Sequence, residues 1–544
     1  MASVYYSDES DEENVLDELL QPENEETDEE EESNYHEWTL QRLKEELGRR
    51  NLSKTGRKQE LIDRLVKHDE SGAVLWSDEE LEVDDLPPFR KHPGPTFVVG
   101  DEQNAGDIFN RFFTPDLIEV LVTETNRYAR GKEAVNWVDT SAEEIRAFLG
   151  VTIWMGLKQV PDLYDYWSNS TVLSVDGIKH VFPRKRYEEL LHNLHCADNG
   201  SAIPAGQPGH DKIHKIRNVL NILNRNFQDN WTPHQQNSVD EGMIPFKGRI
   251  GFKQYMKDKP TKWGIKVWKL VDSVRAYLLH FKIYTGKTDN PGANLGEKVV
   301  LDLCTSLPRG IPWKLYFDNF YTSLSLASSL LEQGIFCTGT TRPNRVGFPH
   351  QLHMARLKTG ESKWMMKEPR FFALKWKDTK DVYVLSTMAK PGVEDVRRKE
   401  KGHVEGVIKQ CPSVVVDYRK YMGGVDTNDQ HLSYYKCSRK SSKWWMPVFM
   451  QMLDMAIVNA WICECFLRGD HNSRKQKVFR DELVVSLCGK FTGRKKVGRP
   501  SGLPGPRFDK AEHWPKKREQ RLLCLWLWKP WPYLLWKVQC SSDY

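Results

Sequence analysis

The chain has 544 residues, of which 39% are hydrophobic, 11% aromatic and 28% charged, with a formal net charge of +4 and ten cysteines. That length suits roughly two to four domains with sizeable cores, and the composition excludes a collagen, a disulfide mini-protein and a wholly disordered chain. No uninterrupted run of about 18 apolar residues is found, which predicts no bilayer-spanning helix. The acidic N-terminal segment predicts no secretory or mitochondrial leader, and cysteines without a framework spacing predict reduced thiols.

Charge is unevenly spread. Residues 1–41 hold sixteen Asp or Glu and no Lys or Arg, so the other 503 residues carry +20. A basic body beside an acidic tail points to a polyanionic partner, nucleic acid foremost; a solubilising surface is the alternative. Residues 1–35, with the acidic run Asp28 to Glu32, are predicted to be disordered because like charges repel and little apolar surface is available. Ser7 and Ser10 among those acids are open to phosphorylation.

Residues 36–70 change character. Leu40, Leu43 and Leu47 form one helical stripe, ended by Gly48. Leu61, Ile62, Leu65 and Val66 form a second stripe after the turn Ser53 to Gly56, and Arg49, Arg50, Lys54, Arg57 and Lys58 surround that turn. A small helical hairpin with solvated basic residues would look similar. The run LKEELGRRNLSKTGRKQELIDRL, Leu43 to Leu65, resembles an SAP domain, a helical module of chromatin proteins that binds AT-rich DNA. The resemblance implies DNA contact through Arg49, Lys54, Arg57 and Lys58.

Residues 71–104, with Pro87, Pro88 and Pro93, read as a linker. A helical region follows over 105–234. Thr114 is placed to cap a helix with Pro115 in its first turn, and Thr140-Ser141-Ala142-Glu143-Glu144 opens another. Strand-like runs then cover Asn237–Phe246, Gly264–Ser273, Ala276–Gly286 and Trp313–Asp318, and helix returns from Trp444 to Phe466. Strands with helical segments on both sides predict an α/β core inside a helical scaffold.

Three acids fall where the backbone is fixed. Asp240 lies in a strand-like run, Asp318 ends one, and Asp426 follows Gly423-Gly424-Val425 and opens a helix on which Asp429 shares its face. An acid at the exit of a buried strand is costly to desolvate unless it meets a cation. Converging acids suit Mg²⁺ or Mn²⁺, hard ions that take oxygen ligands, and two such ions can clamp the attacking and leaving oxygens of a phosphoryl transfer. A lone Asp at such a position also serves as a turn or helix cap.

Neighbouring residues carry more. SVDEGMIPFKGRIGFKQYMKDKPTKWGIKVWKLVDS from Ser238, YFDNFYTSLSLASSLLEQG from Tyr316 and YMGGVDTNDQHLSYYKCSRKSSKWW from Tyr421 resemble the three catalytic blocks of piggyBac-type transposases. FFTPDLIEVLVTETNRYA and FLGVTIWMGLKQVPDLYDYW resemble the helical region before them, so the likeness runs over about residues 105–470 in order. It implies cut-and-paste DNA transposition at TTAA sites through hairpin intermediates. The implied fold is an RNase H-like core with an insertion domain, embedded in a helical dimerisation and DNA-binding scaffold. On that pattern the core is 235–345 and 411–432, the insertion 346–410, the scaffold 105–234 and 433–485, and the tail 486–544. Asp240, Asp318 and Asp426 match the catalytic, metal-binding triad and Asp429 a fourth, assisting acid. Two Mg²⁺ or Mn²⁺ ions, a homodimer, double-stranded DNA and a nuclear location are implied. The alternative is a catalytically idle chromatin-binding protein derived from a transposase; a third reading is an interaction protein whose acidic tail recruits partners. No phosphate-binding GxxxxGK[ST] loop is found, so no nucleotide cofactor is expected.

Lys247, Arg249, Lys253, Lys257, Lys259, Lys262 and Lys266 crowd the chain after Asp240, interleaved with Phe246, Phe252, Tyr255 and Trp263. Basic groups neutralise phosphates and aromatics stack on bases, although these aromatics would equally serve a core. Arg439, Lys440 and Lys443 are further DNA candidates. Gly498-Arg499-Pro500 with basic flanks resembles an AT-hook, in which Arg499 enters a narrow minor groove; the same residues with Lys516-Lys517-Arg518 also suit nuclear import. HWPKKREQR from His513 resembles the lead-in to the zinc domain that ends many relatives, yet only Cys524 and Cys540 follow, without a CxxC pair. The expectation is therefore no zinc site, and end-specific DNA binding is put in question. Cys463 and Cys465, two apart on a helix, read as packing residues.

Overall fold

The computed structural model describes residues 35–493 apart from 36–37, 50–52, 72–75, 99, 101–103, 135–136, 258, 287–294, 401–402 and 470–473. The acidic tail, the AT-hook-like Arg499 and the zinc-domain remnant lie outside the described residues.

The first two helices, α1 (Leu40–Arg49) and α2 (Lys58–Ser71), cover each other through Leu43, Leu47, Leu61, Ile62 and Leu65. Tyr35 joins this core, edge-on to Trp38, so the module begins inside the stretch read as tail. Leu40 is 44% exposed, so the stripe starts at Leu43, and the helix runs one residue past Gly48. The following linker region is laid against the body. Ser77 bridges to Met366, Trp76 Nε1 donates to the Gly347 carbonyl, and Phe89 meets Trp313 edge-on. It ends in β1 (Gly94–Pro95), paired with β2 (Trp231–Thr232).

Among the described residues six α-helices occupy the stretch read as helical: α3 (Ala105–Phe109), α4 (Pro115–Gly131), α5 (Ala142–Leu157), α6 (Asp176–Val181), α7 (Arg184–Asn193) and α8 (His214–Asp229). The side chains of Thr114 and Ser141 accept from the Leu117 and Glu144 amides, closing α4 and α5 where the sequence placed their caps.

A nine-stranded sheet follows among the described residues: β3 (Gln236–Pro245), β4 (Lys253–Tyr255), β5 (Trp263–Asp272), β6 (Tyr277–Ile283), β7 (Trp313–Phe317), β8 (Ile335–Thr340), β9 (Ser362–Lys367), β10 (Phe371–Lys377) and β11 (Asp381–Ser386). The order β5-β3-β7-β8 is its centre, with β6 and β4 on the outer side of β5. The β6-β5-β3 pairings are antiparallel and the β3-β7-β8 pairings parallel. Parallel strands need crossovers, supplied by α9 (Leu295–Cys304) and α10 (Leu324–Glu332). In the stretch read as an insertion, which includes α11 (His350–Met354), β9–β11 extend this sheet through the antiparallel β8-β11 pair. There β12 (Val393–Glu400) and β13 (His403–Pro412) form a separate hairpin.

The chain returns through α12 (Ser413–Tyr421) and α13 (Gly424–Ser433), then α14 (Trp445–Leu467) and α15 (Gln476–Cys488). By length and composition α14 could cross a bilayer, but 89% of its apolar window is buried in protein, as in a core helix. Asp454 on α14 and Arg480 on α15 form a fully buried ion pair at 3.0 Å. Asp454 also accepts from the Cys437 amide, tying down the chain that follows α13.

Candidate active site

The last residue pair of the parallel β3-β7 ladder is Val239 opposite Phe317. The next residue after each is an aspartate: Asp240 lies inside β3 and Asp318 just past the end of β7, on neighbouring strands about 4.8 Å apart. Both are held locally. Asp240 Oδ1 accepts from the Glu241 amide at 2.8 Å and Asp318 Oδ1 from the Phe320 amide at 3.0 Å. Thr322 donates through both its amide and its hydroxyl to the Asp318 carbonyl, fixing the exit turn toward α10.

Electrostatics mark the place. Burial, then the neighbouring Glu241 carboxylate, pushes Asp240 up to about 8, with Asp318 adding to the effect and Lys259 opposing it. Asp318 is raised by burial and then by Glu241. Lys259 Nζ lies 3.6 Å from Asp240 Oδ2 and 3.8 Å from Glu241 Oε1, and donates to the Glu241 carbonyl at 2.9 Å. Burial works against its ammonium, but Asp240, Glu241, Asp426 and Asp429 together raise it. One cation thus feels acids from both the strand and the helix. The buried Tyr321 hydroxyl donates to Glu241 Oε2 at 3.1 Å. Burial raises Tyr321 and Tyr418, and both also feel Asp240 and Asp318.

Helix α13 packs on β3 and β5. A β-carbon on Gly424 would lie 2.5 Å from Ser238 Oγ, so only glycine lets the helix start this close to the strand. Asp426 is exposed on the first turn. Asp429 instead meets Lys269 of β5, whose ammonium also donates to Asn428 Oδ1 at 3.2 Å.

For a divalent cation the donors are right in kind: oxygen ligands, two of them half-buried acids whose charge repels its neighbours. They are not drawn in to ligand distance. Among the described residues no three His, Cys, Asp or Glu side chains are gathered closely enough to hold an ion, and Lys259 supplies the local positive charge. Glu241, Lys259, Lys269, Tyr321 and Tyr418 were not singled out by the sequence as parts of this acid cluster. Glu241 follows Asp240 directly and was the one with a visible signal.

The family profile described as transposase IS4 matches residues 104–461, about two thirds of the chain, and the SAP domain profile matches 34–70. The chain belongs to the piggyBac transposase-derived family. It is 27% identical over 366 residues to human piggyBac transposable element-derived protein 3, covering 65% of this chain and 60% of that protein. It is 28% identical over 467 residues to human piggyBac transposable element-derived protein 2, covering 83% and 76%. The cryo-EM structure of the piggyBac transposase synaptic complex with hairpin DNA superposes with a TM-score of 0.62 at 28% identity, covering 74% of this chain and 83% of that one.

Within this family member the basic residues divide. Lys247, Arg249, Lys257 and Lys262 are exposed, whereas Lys253 is half-buried and donates to the Gly248 carbonyl. Of the interleaved aromatics, Phe246 and Phe252 are core, while Tyr255 and Trp263 are exposed and pack together with ring centroids 4.8 Å apart. Arg439 binds the Tyr166 hydroxyl and the Val160 carbonyl, a scaffold contact, and Lys440 is exposed. In the SAP domain Lys54 and Lys58 are exposed at the turn, and Arg57 is exposed with its amide donating to Glu60.

Proposed function

We propose that this chain is a piggyBac-type DNA transposase that cleaves and transfers DNA strands with Asp240, Asp318 and Asp426. The observation that carries the reading is Asp240 inside β3 beside Asp318 at the end of its parallel neighbour β7, with Asp426 on α13, which packs on β3. The central order β6-β5-β3-β7-β8, three antiparallel strands followed by two parallel ones, supports an RNase H-like core. The three carboxylates would hold Mg²⁺ or Mn²⁺, which when bound activates water and neutralises charge building on the phosphate. Around them Phe320 and Glu241 amides orient the carboxylates, Tyr321 fixes Glu241, and Lys259 keeps the acids from repelling one another. Exposed Lys247, Arg249, Lys257 and Lys262 would track the DNA backbone, with Tyr255 and Trp263 available to stack on unpaired bases. Double-stranded DNA with TTAA targets, a homodimer and a nuclear location complete the proposal, with the SAP domain as a second DNA contact.

A second reading, a DNA-binding derivative without cleavage, is favoured by the two lysines among the acids and by the absence of a gathered ligand set among the described residues. Incubating the full chain with the terminal repeats flanking its gene and Mg²⁺, beside Asp318→Ala, decides between them. Metal-dependent cleavage lost in the variant supports the transposase. Binding without cleavage by the wild type supports the derivative.

A further inference from the structure

Asp240 and Lys269 are direct partners in the antiparallel β3-β5 ladder, so their side chains leave the same face of the sheet. Gly242, two residues on, shares that face. A β-carbon there would lie 3.0 Å from both Lys269 Cε and Asp429 Oδ2. The missing side chain opens a channel through which Lys269 reaches α13. At its end the ammonium meets Asp429 and Asn428 Oδ1, and Asn428 is anchored in turn by its amide nitrogen on the Ala276 carbonyl at 2.9 Å.

The Lys269 side chain is 2% exposed, and Asp429 is its anionic partner among the described residues. An ammonium at that depth cannot give up its counter-ion without being stranded in a poorly solvating interior. Asp429 is therefore committed. If its carboxylate moved to a divalent cation, Lys269 would lose the charge that compensates it. Asp426, one turn earlier on the same helix, carries no such pair among the described residues and stays exposed.

We propose that Asp429 is not an ion ligand in this chain but the counter-ion through which Lys269, a positioning residue, seats α13 and so places Asp426. The proposal rests on the nuclease reading only for what Asp426 does once placed.

The test uses the full chain and Mn²⁺, with bound ion followed by electron paramagnetic resonance and stability by thermal melting. Asp429→Asn strands Lys269, so it should lower the melting temperature by several degrees and weaken Mn²⁺ binding about tenfold, as loss of an outer-shell partner does. Lys269→Met removes the stranded charge in the same volume. The double variant Lys269→Met with Asp429→Asn should therefore regain the melting temperature and bind Mn²⁺ within about twofold of wild type. Recovered stability with Mn²⁺ binding still weak would make Asp429 a ligand and overturn the proposal. So would an Asp429→Asn variant as stable as wild type. If the wild-type chain itself bound no Mn²⁺, the nuclease reading would fail separately. The melting temperatures alone would then decide the pair: rescue by the double variant supports it and no rescue overturns it.

Discussion

Asp240→Asn should stabilise the protein, and the gain should grow with pH. The carboxyl is raised from 3.8 to about 8 by burial and by Glu241. In the unfolded chain it loses its proton near pH 4; in the folded chain it keeps it to about pH 8. The folded state therefore binds more protons across that window, and its stability falls as pH rises through it. Each unit of difference corresponds to about 1.4 kcal/mol, which sets a ceiling of roughly 6 kcal/mol above pH 8. The side chain is 13% exposed and shares the Lys259 ammonium with Glu241, so about 2–3 kcal/mol is the expected cost. Asparagine fits the same volume, retains an oxygen for the Glu241 amide and does not titrate. Wild type and variant should melt together near pH 4, diverge through pH 6 and 7, and differ by about 2–3 °C at pH 8. Millimolar Mg²⁺ should narrow that gap by stabilising the wild type alone. Paired melting curves across this range are the assay. A gap that does not change with pH, or a wild type more stable than the variant at pH 8, would refute the argument that unpaired acid charge is built into this site.

Three other outcomes are expected. Gly424→Ala drives a β-carbon to 2.5 Å from Ser238 Oγ and 3.0 Å from Ser273 Cα, so it should cost about 1–3 kcal/mol, with partial recovery on adding Ser238→Gly. Thermal melting of the single and double variants checks this. Asp454→Asn leaves the fully buried Arg480 guanidinium uncompensated and should cost about 3–5 kcal/mol, whereas Asp454→Leu combined with Arg480→Met should recover most of it in denaturant titrations. Trp263→Ala, at an exposed ring, should weaken single-stranded DNA binding by about 1–3 kcal/mol without lowering the melting temperature. Phe246→Ala should do the reverse, and fluorescence anisotropy beside melting separates the two.

Local chemistry made much of the fold readable. Caps at Thr114 and Ser141 depend on a few adjacent residues, and the strands β3, β5, β6 and β7 show as apolar runs between turns. Asp318 and Asp426 stood out because one ends a strand and the other opens a helix, and Asp240 because it interrupts a strand-like run. Facing was harder to read. Among the aromatics after Asp240, Phe246 and Phe252 turn inward while Tyr255 and Trp263 turn out, and composition alone does not separate them. Leu40 continues a helical stripe in sequence yet lies beyond the partner helix that covers Leu43 and Leu47. Residues 76–98 carry the prolines and acids of a linker, but their contacts with Met366, Gly347 and Trp313 come from partners about 220–290 positions away, out of reach of any local pattern.

The lysines were the least legible part, and they bear most on function. Lys259 belongs to a basic run that reads as a DNA-facing surface, yet it reaches Asp240 and Glu241, and Lys269, three residues past that run, is buried against Asp429. A carboxylate cluster facing no counter-charge would repel itself during folding, before any ion arrives. Two tethered ammonium groups relieve that repulsion within the chain. They differ in exposure, and exposure decides what each can do. Lys259, 24% exposed, would be free to turn toward water if a divalent cation took over its role; Lys269, 2% exposed, would not. The site thus has one exchangeable positive charge and one fixed, and the fixed one holds the helix that carries Asp426.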